Sequence, residues 1–313
     1  MADAVCGKSW EQTVRWLREQ PDQRELVLAS YYDDPLSAAA MRYWQSAEWR
    51  EIRALLPDPA GSKALDIGAG RGIASFALAK DGFEVTALEP DDSTLVGAGA
   101  IRALAREQQL AIMVRNEPAE HLPFEDGTFD LAFGRAVLHH TRDLDRTCRE
   151  LYRVLKSGGT FIAVREHVIS REQDLPRFLA AHPLHRHYGG ENAFPLTIYT
   201  NSIRKAGFRL ECVLAPLRSP INLAPQSLES LQTELAHRMS IGIPLLAAAW
   251  RQLMRSRALW ASLQTVLELF DNRPGRLYSF VARKPERSSR AGRSRGDRQE
   301  GVKAHTARDQ EVR

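Results

Sequence analysis

Between Ser9 and about Leu56 apolar residues return every three or four positions, first as Trp10, Val14 and Leu17 and later as Ala39, Tyr43, Trp49, Ile52 and Leu55. That period fits one face of a helix and predicts a run of amphipathic helices, punctuated at Asp33, Asp34 and Pro35. The segment 56–61, Leu-Pro-Asp-Pro-Ala-Gly, ends the run, because proline lacks the amide that a helix needs and its ring clashes with the preceding turn. Beyond it short apolar runs alternate with helical stretches, the pattern of parallel strands joined by crossover helices. Strands are predicted near 63–67, 84–89, 111–114, 130–133, 160–164 and 210–214, and helices near 71–80, 92–108, 144–155 and 196–206. A last strand near 276–282 follows a helical insert over about 226–270.

Composition narrows the classes. The chain has 313 residues, of which 43% are apolar, enough to build a core without covalent staples. Its three cysteines, Cys6, Cys148 and Cys212, are odd in number and far apart, which argues against a disulfide framework or a paired-cysteine zinc site and fits a reducing, cytoplasmic setting. No signal-peptide pattern opens the chain and no apolar run reaches membrane-span length, so a soluble protein is expected. The longest such run, 241–250, reads as the core of a helical cap or an oligomer interface, compatible with a homodimer; a surface for lipid or a quinone-like substrate is the alternative. The formal charge is +4, and residues 285–313 alone hold +3 of it. With only Val302 and Val312 as sizeable apolar groups, that basic tail is expected to be disordered. The remaining body is near neutral, so no nucleic-acid partner is expected.

The chemistry is concentrated after the first predicted strand, where Asp66-Ile67-Gly68-Ala69-Gly70-Arg71-Gly72-Ile73 turns from strand to helix. Glycines there allow a tight turn and a close approach of backbone to ligand. A dinucleotide fingerprint has its third glycine at the sixth position, whereas here Gly72 is fifth and Ile73 sixth. Asp66 would repel a pyrophosphate and suits an ammonium group instead. Glu89, closing the second strand, can accept both hydroxyls of an unphosphorylated ribose.

These residues resemble the class I S-adenosylmethionine-dependent methyltransferases, particularly the small-molecule subgroup that includes the ubiquinone and menaquinone biosynthetic enzymes. The likeness covers 63 to about 207. It rests on the glycine loop, on Glu89, on Ala119-Glu120-His121-Leu122-Pro123-Phe124 with Asp126-Gly127-Thr128-Phe129-Asp130, on Val137-Leu138-His139-His140 with Asp143, and on 151–159, Leu-Tyr-Arg-Val-Leu-Lys-Ser-Gly-Gly. The resemblance implies an α/β, Rossmann-like fold with a mostly parallel seven-stranded sheet and helices on both faces. Residues 1–60 would form an N-terminal helical lid, 61–284 the methyltransferase domain, and about 216–275 a helical insert before the last strand. It also implies S-adenosylmethionine as cofactor, bound by Asp66, Gly68, Gly70, Gly72, Glu89, Ala119, Glu120 and Arg135. One departure stands out: where the family usually has an acid facing the adenine amino group, this chain has Pro118, leaving the Ala119 backbone and Glu120 to hold the base.

The acceptor is expected at the carboxyl ends of the strands. Arg135, His139 and His140 follow the fourth strand, Arg165, Glu166 and His167 the fifth, and Tyr31 and Tyr32 come from the N-terminal helices. The segment 166–194 also gathers His182, His185 and His187 near Tyr188-Gly189-Gly190-Glu191-Asn192, where the glycine pair suggests a turn. Histidines at 182, 185 and 187 could ligate a metal, but an ordinary polar loop, or a substrate-site role for at least one of them, is the better reading and no metal is expected. His140, Glu166, His167, His182 and His185 are the candidate catalytic groups; His139 and His140 read equally as a structural signature of the family. Their collection at one mouth points to methylation of a small-molecule or sugar hydroxyl, where a base is needed. Methylation at nitrogen or carbon, and a non-catalytic cofactor-binding scaffold, are the alternatives; a nicotinamide-dependent oxidoreductase is disfavoured by Asp66 and Ile73.

Overall fold

The structure is a computed structural model that describes residues 7–240 and 243–286. Cys6, the start of the 241–250 apolar run and the basic tail from residue 287 onward lie outside the described residues.

Four helices open the chain: α1 (Trp10–Glu19), α2 (Arg24–Ala29), α3 (Leu36–Trp44) and α4 (Ala47–Arg53). Ser9 starts α1 with a capping box, its hydroxyl accepting from the Gln12 amide while Gln12 returns a bond to the Ser9 amide. The α/β body follows as β1 (Lys63–Ile67), α5 (Ile73–Asp81), β2 (Glu84–Leu88), α6 (Ala98–Glu107), β3 (Ile112–Arg115), β4 (Phe129–Arg135), α7 (Leu144–Val154) and β5 (Leu155–Ile169). Then come α8 (Leu175–Ala181), α9 (His185–Tyr188), β6 (Phe194–Pro195), α10 (Leu196–Lys205), β7 (Arg209–Leu214) and α11 (Pro220–Leu223). The insert consists of α12 (Leu228–Met239), α13 (Pro244–Met254) and α14 (Arg257–Phe270), and β8 (Arg276–Arg283) returns the chain to the sheet.

The strand order is β3-β2-β1-β4-β5-β8-β7, with β6 added beside β5. All pairs are parallel except those of β8, which runs antiparallel between β5 and β7. The sheet therefore has eight strands, not the seven expected. The additional one, Phe194–Pro195, is two residues long and too short to carry an apolar alternation. One face of the sheet packs Phe161, Ala163 and Phe280 against Leu144, Leu151, Tyr199 and Ile203 of α7 and α10. The other packs Leu131, Phe133, Ile162 and Val164 against Tyr43, Trp49, Ala74 and Leu78 of α3, α4 and α5. In α7 the buried Leu144, Thr147, Cys148, Leu151 and Val154 follow the helical period, and the Asp143 carboxylate caps the first turn by accepting from the Arg146 amide at 2.8 Å.

Three segments differ from the expected pattern, each for a local reason. The helix placed over 92–108 begins only at Ala98, because the Ser93 hydroxyl captures the amides of Leu95 and Val96 and the Asp91 carboxylate that of Ser93. The fifth strand runs on past Val164 to Ile169. Its register against β8 slips by one residue between Ala163 and Glu166, and Arg165 sits in the left-handed region at φ 61°. This β-bulge reverses the alternation: Phe161 and Ala163 face the α7 side, and beyond the bulge Val168 does so too. In the insert, Ala236, Met254 and Trp260 form the small core, whereas Ile243, Leu245 and Leu246 of the apolar run are exposed. Of the described part of that run, Trp250 packs against this small core while Ile243, Leu245 and Leu246 face outward. Among the described residues no helix is long and apolar enough to cross a membrane.

Candidate functional site

The connection after β1 goes to β2 on one side of the sheet while β4 pairs on the other, so the strand order reverses at β1 and leaves a crevice at its carboxyl end. A cavity of about 1020 Å³ fills that crevice. Asp66, Gly68, Gly70, Glu89, Ala119, Glu120, Arg135, His140, His167 and His182 line it, as do Trp10, Tyr31 and Tyr32 of the N-terminal segment. Three expected residues do not reach it. Gly72 opens α5 at φ 84°, and a Cβ there would lie 3.1 Å from the Ile101 side chain, on the helix side and outside the cavity lining. Glu166 and His185 are also absent from the lining.

The half over β1 and β2 is a shaped acidic cradle. Gly68 and Gly70 have φ of 56° and 53°, and a Cβ on Gly68 would lie 2.2 Å from Val137 Cγ2. Asp66 is almost fully buried, and the Ser75 hydroxyl donates to it at 2.5 Å. Burial, with the Glu89 charge adding to it, pushes the Asp66 carboxyl up to about 7. Glu89 accepts from the Gly70 amide at 2.7 Å and the Asp91 amide at 2.9 Å, fixing the loop to the end of β2. Its pKa is raised by burial, with these bonds opposing. Glu120 accepts from the Arg142 amide at 2.7 Å, tying the adenine-side loop to the segment after β4. Two buried carboxylates beside a backbone that no side chain obstructs fit S-adenosylmethionine: Asp66 for its ammonium, Glu89 for its ribose hydroxyls, with Ala119 and Glu120 beside the base.

Arg135 has another engagement. It lines the cavity, but its guanidinium donates to Glu48 of α4 at 2.7 and 3.1 Å and stacks near the rings of Tyr31 and Tyr43. Arg71 of the glycine loop likewise turns away, donating to the carbonyls of Tyr31 and Asp33 and to the Asp34 carboxylate at 2.7 Å. Both arginines hold the N-terminal segment over the crevice.

The half over β4 and β5 is built from histidines. Glu166, fully buried beyond the bulge, accepts from the amides of Val137 and His139 at 3.1 Å and from His139 Nδ1 at 2.7 Å. It braces the loop after β4 instead of facing ligand, a correction to its expected catalytic place. His167 donates from Nδ1 to the Gly275 carbonyl at 3.1 Å, and burial, aided by His139, pushes its pKa down to about 3. His139 is held well below the usual imidazole range, by burial first and His140 second. His140 is partly exposed and donates from Nδ1 to the Gly190 carbonyl at 2.9 Å. These rings gather around Glu191, whose carboxylate lies 3.8 Å from His139 Nε2, 3.9 Å from His140 Nε2 and 3.7 Å from His182 Nε2. The sequence triplet 182, 185 and 187 does not converge: His182 faces the cavity while α9 carries His185 away, and His187 stacks on Trp16. Residues brought together within 4.8 Å at their ligand atoms are instead His139, His167 and Glu191.

Residues 65–163 match the family described as methyltransferase domain. The sarcosine/dimethylglycine N-methyltransferase of Aphanothece halophytica is 37% identical over 107 residues, 33% of this chain and 38% of that one. A ubiquinone/menaquinone biosynthesis C-methyltransferase of Zymomonas mobilis is 35% identical over 144 residues, covering 44% of this chain and 55% of that one. The chain thus spans about half the length, or less, of these relatives. Among solved structures the cyclase SpnF superposes with a TM-score of 0.52 at 20% identity, over 90% of this chain and 98% of that one, a likeness of fold alone. The glycine loop and the two buried acids lie within the segment that matches the methyltransferase domain family, and the relatives similar to that segment are methyltransferases.

Proposed function

We propose that the protein transfers a methyl group from S-adenosylmethionine to a hydroxyl of a small molecule, such as a sugar, that enters the β4–β5 half of the cavity. The observation that carries this reading is one cavity with two chemistries: buried acids at the glycine loop and histidines around Glu191. When bound, the cofactor supplies an electrophilic methyl group. Asp66 and Glu89 hold it, and the aromatic rings of Trp10, Tyr31 and Tyr32 wall the cavity against water. His140 is the proton acceptor that the geometry favours. Its Nδ1 proton is committed to the Gly190 carbonyl, so its Nε2 lone pair is free to take the hydroxyl proton.

Incubation with isotope-labelled S-adenosylmethionine and metabolite extracts, followed by mass spectrometry, identifies the acceptor and the atom methylated. His140→Ala should then cut turnover roughly a hundredfold or more while leaving cofactor affinity within about twofold. A labelled product methylated at nitrogen or carbon would replace the hydroxyl reading. Saturable cofactor binding with no labelled product would favour a non-catalytic scaffold.

A further inference from the structure

We propose that His139, His167 and Glu191 bind a divalent transition-metal ion of the zinc type at the acceptor end of the cavity, with His182 beside it. The tautomers point there first. Nδ1 of His139 faces the Glu166 carboxylate and Nδ1 of His167 the Gly275 carbonyl, both acceptors, so each ring carries its proton on Nδ1 and presents an Nε2 lone pair. Fixing the outer nitrogen on a carboxylate or a carbonyl is how metal-binding histidines are commonly oriented.

Glu191 supplies the second observation. Its side chain is 7% exposed, yet Oε2 has no hydrogen-bond partner among the described residues, while Tyr188 donates to Oε1. A buried anionic oxygen 3.8 Å from the acceptor nitrogen of His139 is unfavourable unless a cation lies between them. The spacing suits one. Ligands at about 2.0–2.2 Å around a tetrahedral ion stand roughly 3.3–3.6 Å apart. The three ligand atoms here lie within 4.8 Å of one another, so a contraction of side chains on the order of 1 Å closes the site. Two imidazoles and one carboxylate select zinc, iron or cobalt over magnesium and calcium, which take oxygen.

Three protein ligands leave a coordination position toward the cavity that all three line. An acceptor hydroxyl bound there would lose its proton more readily, and His140 stands ready to receive it. This catalytic role rests on the methyl-transfer reading above; the binding of the ion does not.

The test uses the full chain, stripped with chelator and titrated separately with Zn²⁺ by calorimetry and with Co²⁺ by visible absorption. One ion per chain at micromolar or tighter Kd is expected, with the absorption bands of a low-coordinate Co²⁺ site. Glu191→Gln and, as a second variant, His167→Gln should each weaken Zn²⁺ binding at least roughly tenfold. S-adenosylmethionine affinity, measured on the same samples, reports that the cofactor half remains folded. Failure of the wild type to bind either ion saturably, or equal Zn²⁺ affinity in folded Glu191→Gln, overturns the proposal. Zn²⁺ binding without any methylated product would leave the metal site standing and remove the methyl-transfer reading instead.

Discussion

Arg135 and Glu48 form a bidentate ion pair, at 2.7 and 3.1 Å, that joins the end of β4 to helix α4 with the Glu48 side chain only 1% exposed. Such a pair, once buried, is costly to break from one side, because the surviving charge keeps its desolvation penalty without its partner. Glu48→Ala should therefore lower unfolding free energy by about 3–5 kcal/mol, measured by urea denaturation. A loss under about 1 kcal/mol would mean that Arg165, 4.0 Å from Glu48, or solvent compensates.

Asp66 should make the ligand-free protein less stable as pH rises. Its carboxyl, normally near 3.8, is raised to about 7 by burial, so the folded state holds a proton that the unfolded chain releases. The stabilisation is complete below about pH 4 and is lost as pH climbs through 7. Asp66→Asn should flatten that part of the stability profile and abolish cofactor binding. In the wild type, affinity for S-adenosylmethionine should rise toward pH 7 as Asp66 ionises, then fall above about pH 8 as the ligand's own α-amino group loses its proton. Calorimetry across pH 5.5–9, a range chosen to span about 7, would refute this with a flat profile.

Gly68→Ala tests the cradle. The new Cβ would meet Val137 Cγ2 at 2.2 Å and require a left-handed backbone. Cofactor affinity should fall by roughly tenfold or more, and adding Val137→Ala should recover only part of it, since the backbone strain remains. Full recovery in the double variant would assign the whole effect to the steric clash.

The half of the cavity over β1 and β2 was legible because its signal is local: Asp66, Gly68 and Gly70 lie within five residues and Glu89 directly follows the next strand. Pairwise closeness in sequence misled in the acceptor half. His185 is three residues from His182, but the turn of α9 takes it out of the cavity, whereas Glu191 reaches His139 from 52 positions away. Nothing local in the composition of 166–194 says which of its polar groups faces inward; that depends on how α8, α9 and β6 are laid against β5. The place of Gly72 beside the Ile101 side chain was equally hidden, since the same glycine could have served the ligand or the helix.

The bulge at Arg165 acts like a reading frame written in three dimensions. Upstream of it the residues of β5 follow one assignment of faces, and downstream they follow the other, so Glu166 meets the His139 loop because the bulge absorbs the extra residue that precedes it. Deleting Arg165 should remove the bulge, restore regular pairing of β5 with β8 and leave Glu166 on the face it shares with Ala163, with S-adenosylmethionine affinity intact; loss of the Glu166 contact to His139, read by NMR, would contradict this. Which groups of β5 face the acceptor end therefore depends on how one unpaired residue is accommodated, while Asp66 and Glu89 stand at the ends of strands whose pairing the bulge does not touch.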